Sequence, residues 1–254
     1  MKIVILAAGK SSRIFEKIKK NKCLIDINGE SLINNSINKL IKTNKVKEED
    51  IYIVTGFKSN LIKSNVRKKF RKINYIYNKY FQKREMLYSM LLAMKKINED
   101  FICVYSDILI SQTTLNKLLL KKEKLNITIP ILKNWEQIWK YKGQSIYEDA
   151  EDLKFDNKNY IVRAIGQKIK RNKPEYQYMG IIYFPKIEFT KILKMYTKLK
   201  DQKKMHLTKF LDTLIKSKVK VYGIPISSYW YEFDDYQDYQ NFLRLKKNKL
   251  KKFV

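Results

Sequence analysis

Lys2-Ile3-Val4-Ile5-Leu6-Ala7-Ala8-Gly9-Lys10-Ser11-Ser12-Arg13 is the stretch whose reading settles the rest of the chain. A short apolar, β-branched run ends in small residues and a glycine, with a basic side chain just behind. Unbroken apolar character marks a strand covered on both faces, without a wet side. Small residues at its end let a phosphate chain approach the backbone, whose N–H groups can point at its oxygens. Leu6, Ala7, Ala8, Gly9, Ser11 and Ser12 are therefore candidate nucleotide-binding positions, and Arg13 adds a forked donor suited to phosphate. Spacing excludes two other phosphate loops. A P-loop needs a glycine five residues before its Gly-Lys, where this chain has Val4, and a dinucleotide fingerprint needs two further glycines that are missing.

Strand and helix signals alternate along the remainder. Apolar runs at Ile51–Val54, Ile73–Tyr77, Phe101–Tyr105, Ile127–Leu132, Gly180–Phe184 and Val219–Ile224 read as strands. Helical patterns fall between them, at Ser31–Lys42, Lys58–Phe70, Arg84–Ile97, Thr113–Lys121, Lys186–Leu199 and Leu207–Lys216, with another at Tyr236–Lys247. This alternation predicts an α/β fold with a mostly parallel sheet flanked by helices. Ligands of such sheets bind at the carboxyl ends of strands, beside a switch in strand order, which is where the glycine loop falls. Residues 133–175 break the pattern and read as a small inserted substrate lobe of a single domain spanning 1–254, since the alternation resumes afterwards. The Lys-rich tail, Lys246–Lys252, reads as solvated or disordered.

Composition narrows the function classes. No apolar stretch approaches the roughly 18 residues of a membrane span, and the N-terminus lacks a signal-peptide layout. Cys23 and Cys103 lie in apolar surroundings without disulfide or zinc spacing, so a reducing, cytoplasmic setting is expected. The net charge of +29 favours the arrival of anions. Its lysines are scattered over every segment, so the charge reads as compositional bias more than as a nucleic-acid face. The single histidine, His206, has no catalytic motif around it and reads as a loop or helix-start residue. Asp107 ends the Phe101–Tyr105 strand region, where a carboxylate can hold Mg²⁺ against substrate phosphates.

The opening loop resembles the L-A-A-G-x-[GS]-x-R signature of nucleotidyltransferases that join an NTP to a phosphorylated small molecule. Further elements follow in the same order as in the small-molecule cytidylyltransferases. Asn21-Lys22-Cys23-Leu24 through Gly29 is similar to their P-K-x-L…G stretch, with Asn21 replacing the proline, and this implies that Lys22 neutralises phosphate charge with Arg13 in the transition state. Trp230-Tyr231-Glu232-Phe233-Asp234 resembles W-x-E-[IV]-D, which implies Asp234 as a second metal ligand beside Asp107, with Glu232 on the same face of the segment; Asp238 reads as a helix-start acid. Asn78 and Tyr88-Ser89 resemble the element that surrounds cytosine.

Asp149-Ala150-Glu151 resembles the acidic box of the phosphocholine and aminoethylphosphonate enzymes, and Tyr178-Met179-Gly180 matches a later element. Relatives accepting a cation often carry Glu where this chain has Gln177, which favours a neutral or zwitterionic acceptor. Trp135, Trp139 and Tyr141 remain available for an aromatic cage.

The resemblance implies the Rossmann-like nucleotide-diphospho-sugar transferase fold. It also implies Mg²⁺-dependent transfer of CMP from CTP to a small phosphate or phosphonate, with release of pyrophosphate. Phosphocholine, aminoethylphosphonate and a phosphoamino acid such as phosphoglutamine are the implied acceptors, in cell-surface polysaccharide modification. Candidate substrate contacts are Asp149, Glu151, Gln177, Trp135 and Glu232. No specific nucleic acid or membrane partner is expected, and the chain is expected to be a monomer or homodimer. Two alternatives stand beside this reading. One is a sugar-1-phosphate uridylyl- or thymidylyltransferase; the other, from a different class, is a basic nucleic-acid-binding protein.

Overall fold

The apolar run that opens the chain becomes an interior strand of the main sheet, paired on both sides. The structure is a computed structural model describing residues 1–120, 126–143, 150–169 and 173–245. Its first half runs β1 (Lys2–Ala7), α1 (Ser12–Ile18), β2 (Asp26–Ile27), β3 (Glu30–Ser31), α2 (Leu32–Ile41), β4 (Ile51–Thr55), α3 (Ser59–Arg67), β5 (Asn74–Tyr77), α4 (Met86–Ile97), β6 (Phe101–Tyr105) and β7 (Ile108–Ile110). Then come α5 (Gln112–Leu120), β8 (Ile127–Leu132), α6 (Trp135–Lys142), β9 (Glu151–Asp156), β10 (Ile161–Lys168), β11 (Gln177–Tyr178) and β12 (Ile181–Phe184). The chain closes with α7 (Phe189–Thr197), α8 (Leu207–Lys216), β13 (Val221–Ile226), β14 (Trp230–Glu232) and α9 (Tyr236–Leu243). Asp149 and the Lys-rich tail lie outside the described residues.

Successive side chains of β1 point to opposite faces of the sheet. Ile3, Ile5 and Ala7 join a core with Leu32, Ile33 and Ile37 of α2. Val4 and Leu6 join a second core with Leu87, Met90 and Met94 of α4. Burying one such aliphatic side chain contributes about 1.5–3 kcal/mol. With Ile3, Val4 and Ile5 at 0% exposure and Leu6 at 4%, this strand outweighs any single polar contact in the site it carries.

The main sheet has ten strands in the order β5-β4-β1-β6-β12-β8-β13-β10-β9, with β11 paired to β8. Strands β5, β4, β1 and β6 are mutually parallel, as are β13 and β8. β12 runs against both β6 and β8, and β10 runs against β13 and β9. The expected mostly parallel sheet with helices on both faces is therefore what forms. From β1 the chain winds outward through β4 to β5, then returns on the other side of β1 as β6. The switch in strand order opens a cleft over the carboxyl ends of β1 and β6.

Residues 133–175, where the alternation fails in sequence, carry α6 and the β9–β10 hairpin, which extends the sheet beyond β13. Register shifts between Val162 and Ala164 and between Ile165 and Gln167 break the two-residue period there.

Candidate functional site

The loop after β1 is shaped by two glycines with different reasons. A Cβ on Gly9 would meet no atom of the described residues within 4 Å, so the space beside this backbone is open to a ligand. At Gly56, after β4, a Cβ would lie 2.6 Å from Phe81 Cβ and 2.7 Å from the Ala8 carbonyl oxygen, so only glycine lets the two loops close on each other. Phe57 N–H donates to Ala8 O at 3.1 Å across that contact. Ser11 takes the left-handed conformation (φ 55°) and starts α1, and its Oγ accepts from Lys22 N–H at 3.1 Å.

Asn21 holds φ −62° and ψ 146°, values that a proline would impose, and its Nδ2 donates to Phe57 O at 3.1 Å. The replacement of proline keeps the backbone shape and adds a tether. Lys22 is thereby aimed at the loop it was expected to serve.

Charge gathers where this loop meets the end of β6. Lys22 Nζ lies 3.2 Å from Asp107 Oδ2 and 3.6 Å from Asp234 Oδ1, and Arg13 Nη2 lies 3.6 Å from the same Asp234 oxygen. Asp107 and Asp234 are 127 positions apart, and a two-stranded ribbon joins them. β14 pairs antiparallel with β7, Glu232 opposite Ile108, and Phe233 N–H donates to Asp107 O at 3.0 Å. Trp230 Nε1 donates to Met179 O at 2.9 Å and Tyr231 Oη to Asp238 O at 2.9 Å, which fixes the segment. Asp238 does stand in the first turn of α9, whose N-cap is Asp235. Its carboxylate also accepts Asp234 N–H at 2.8 Å.

The cluster divides its charges unequally. Burial alone would lower the Lys22 pKa, but Asp107, Asp234 and Glu232 outweigh it and hold the ammonium above the ordinary lysine value. Burial pushes Asp234 upward, yet Lys142, Lys22 and Arg13 prevail and keep it below the usual carboxylate range. Glu232 goes the other way: burial, then repulsion from Asp234 and Asp107, pushes its carboxyl well above that range. Asp238 is pushed up to about 6 by burial, against the pull of Lys142. Carboxylates in one cluster thus have opposed proton affinities, set by burial in Glu232 and Asp238 and by three nearby cations in Asp234.

Two larger cavities open from this junction. One, of about 550 Å³, is lined by Leu6, Ala8, Gly9, Ser11, Ser12, Asn78 and Ser89. Asn78 Nδ2 donates to Ser89 Oγ at 3.0 Å, and Asn78 Oδ1 accepts Tyr80 N–H at 2.9 Å. The other, of about 520 Å³, includes Lys22, Asp107, Asp234 and Glu232 and continues past Trp139, Trp230, Tyr178, Glu151 and Gln177 to Thr208. Arg13, Lys22 and Asp107 also line the smaller pocket that includes Leu6, Ala7 and Gly9, beside the first cavity.

Two expected substrate contacts are placed differently, and a third, Asp149, lies outside the described residues. Trp135 does not line the cleft; it is 1% exposed, with its indole N–H donated to Pro174 O at 3.0 Å and its edge against Trp139. Gln177 borders the second cavity, but its amide pairs with the backbone of Glu151. Nε2 donates to Glu151 O at 2.6 Å, and Oε1 accepts Glu151 N–H at 3.3 Å. Asp149 is outside the described residues, so the acid of that box placed at the cavity is Glu151, whose Oε1 accepts Thr208 Oγ1 at 3.1 Å. Gln177→Glu sets a carboxylate against a carbonyl, and about 1–3 kcal/mol of stability is expected to be lost in thermal unfolding. An unchanged unfolding midpoint would show that the amide does not hold Glu151.

Several residues of the site were not legible in sequence. Lys142 is one lysine among many, and Thr208 lies in the first turn of an ordinary amphipathic helix; His206 is the helix-start residue it was expected to be, as N-cap of α8, and its place at the cavity edge is what the sequence did not show.

Residues 3–168 match the model of the MobA-like NTP transferase domain. The chain is 29% identical to the CTP:phosphoglutamine cytidylyltransferase of Campylobacter jejuni subsp. jejuni serotype O:2, over 94% of this chain and 97% of that protein. The inositol-1-phosphate CTP transferase from T. maritima superposes with a TM-score of 0.76 at 16% identity, covering 99% of this chain and 94% of that one. The CTP:phosphocholine cytidylyltransferase from Streptococcus pneumoniae gives 0.71 at 21% identity, covering 94% and 96%. These structures share the nucleotidyltransferase fold with the chain. The glycine loop, the switch-point cleft and the family match over well more than half of the sequence agree: the chain belongs to the MobA-like NTP transferase family.

Proposed function

We propose that the chain is a Mg²⁺-dependent cytidylyltransferase that transfers CMP from CTP to a small phosphorylated acceptor and releases pyrophosphate. The observation that carries this reading is the convergence of Arg13, Lys22, Asp107 and Asp234 on the lining of the second cavity, next to the loop that lines the first. The first cavity takes the nucleoside, with Asn78 and Ser89 at the base. The second takes the acceptor, with Glu151, Glu232 and the aromatic wall around its far end. A phosphate or phosphonate oxygen of the acceptor attacks the α-phosphorus in line. One P–O bond forms, the bond to the β-phosphate bridging oxygen breaks, and pyrophosphate leaves with that electron pair. The acceptor supplies the nucleophile, so no side chain is needed as one, and the protein contributes positioning and charge neutralisation.

Arg13 and Lys22 bind the triphosphate in this scheme. Asp107 and Asp234 suit a divalent ion by the chemistry of their donor set. Both reach the same cation, Lys22, within 3.6 Å, and Mg²⁺ favours one or two carboxylates completed by phosphate oxygens and water. When bound, the ion withdraws charge from the phosphates in transfer.

The likeness to the phosphoglutamine enzyme favours an acceptor bearing an amino-acid end, in a pathway that decorates surface polymers. A pyrophosphate-release screen crosses CTP, UTP, ATP and GTP with phosphoglutamine, phosphocholine, aminoethylphosphonate and sugar 1-phosphates. CTP is expected to lead by at least about 100-fold, because a site that pairs with one base edge leaves buried groups unmatched by another. Equal rates with CTP and UTP would overturn the cytidylyl assignment. Turnover with sugar 1-phosphates alone would make the chain a sugar nucleotidyltransferase.

A further inference from the structure

Lys142, the last residue of α6, is 0% exposed. Its Nζ lies 3.3 Å from Asp234 Oδ2 and 3.4 Å from Asp238 Oδ2, with the Trp139 ring centre 5.2 Å away. An ammonium taken wholly out of water is tolerated only against opposite charge and well-placed acceptors. This lysine has two carboxylates and an aromatic face. Asn241 donates to the Lys142 carbonyl, which ties the end of α6 to α9.

The two oxygens of Asp234 are thereby given different surroundings. Oδ2 faces Lys142 on the buried side. Oδ1 faces Lys22 and Arg13 on the cleft side, at 3.6 Å from each. The Asp234 backbone is held as well, by Asp238 Oδ2. Three carboxylates, Asp107, Glu232 and Asp234, repel one another here. Of the three cations on Asp234, Lys142 is the one held on its buried side.

We propose that Lys142 is a positioning residue for the transfer reaction. It grips one oxygen of Asp234 from behind and leaves the other presented to the cleft. Through Trp139, stacked on Trp230 with centroids 5.7 Å apart, it links that carboxylate to the wall of the acceptor cavity. The inference rests on the reading of Asp107 and Asp234 as the metal pair.

Lys142→Met alone takes this ammonium from Asp238 and leaves Asp234 only its cleft-side cations, so loss of function would not be separable from misfolding and it is a poor test. Lys142→Met combined with Asp238→Asn removes one charge of each sign, and the introduced amide oxygen still accepts Asp234 N–H. Mn²⁺ affinity in the presence of CTP is read by electron paramagnetic resonance, CTP affinity in EDTA by calorimetry, and folding by thermal unfolding. The folded double variant is expected to bind Mn²⁺ at least 10-fold more weakly and to lose kcat. Its metal-free CTP affinity should stay within twofold of the parent, and Asp238→Asn alone should hold Mn²⁺ within twofold. Unchanged Mn²⁺ affinity in the double variant, beside lost affinity in Asp234→Asn, overturns the role of Lys142 and spares the metal site. Unchanged affinity in both overturns the metal site itself, and the inference with it.

Discussion

Asp107→Asn and Asp234→Asn are each expected to lower turnover by about 10²- to 10³-fold, the scale of several kcal/mol of lost charge stabilisation on the phosphates. Neither change should unfold the protein. Lys22 keeps Asp234 when Asp107 is neutral, and Lys142 keeps Asp238 when Asp234 is neutral. Removing one negative charge also relieves the repulsion that pushes the Glu232 carboxyl upward. Thermal midpoints should therefore be little changed, and for Asp107→Asn the net effect should be close to neutral. Pyrophosphate release and thermal unfolding on the same samples check both halves. Full activity in either variant removes that acid from the reaction. Unfolding with loss of activity would make the acid structural.

Lys22→Ala is expected to slow the chemical step by about 10²-fold or more, the loss found when one preorganised electrostatic donor is removed. Arg13→Ala should follow it with a smaller effect. Lys22 is the more enclosed of the two, with 12% of its side chain exposed against 66% for Arg13, and charge acts more strongly where water is excluded. Lys191, exposed on α7, is the control. Its replacement by alanine should alter only the salt dependence of substrate association. Single-turnover rates at two ionic strengths separate these effects. If Lys22→Ala and Lys191→Ala behaved alike, general basicity would explain the protein better than a built site, as the nucleic-acid reading requires.

What the sequence made legible depended on how locally each feature is encoded. The β1 run and its loop are contiguous, so strand, glycine and Arg13 could be read together. The same holds for Asp107 at the end of β6. Strand direction is not local. Ile181–Phe184 is buried throughout, so its apolar run marks a strand without telling that β12 runs against its neighbours. The short α1 was invisible because a seven-residue helix with only Ile14 buried carries almost no periodic signal. Trp135 and Trp139 illustrate the opposite limit. In a stretch whose pattern reads as irregular, they group with Tyr141 as candidates for an aromatic cage, yet of the two tryptophans only Trp139 lines the cleft. Lys142 was hidden by composition, because 54 basic residues give no reason to single out one. Gln177 was noticed for the right position and the wrong partner: its amide meets a backbone that no local pattern places beside it.

The ribbon of β7 and β14 carries a consequence for how such a molecule comes into being. Its two strands are separated by more than a hundred residues, and hydrogen bonds between them set Asp234 beside Asp107. The span 3–168 shared with the family holds one of the two acids, and in the sheet β12 lies between β6 and β8 and β13 between β8 and β10, so strands of that span take their neighbours from later in the chain. The second acid arrives only when the final strand docks. A chain emerging in N-to-C order thus passes through a stage in which Asp107 is present and its partner acid is not. The same ordering means that the span matched to the family holds Asp107 alone of the two acids, and that Asp234 comes with the last strand, beyond residue 168.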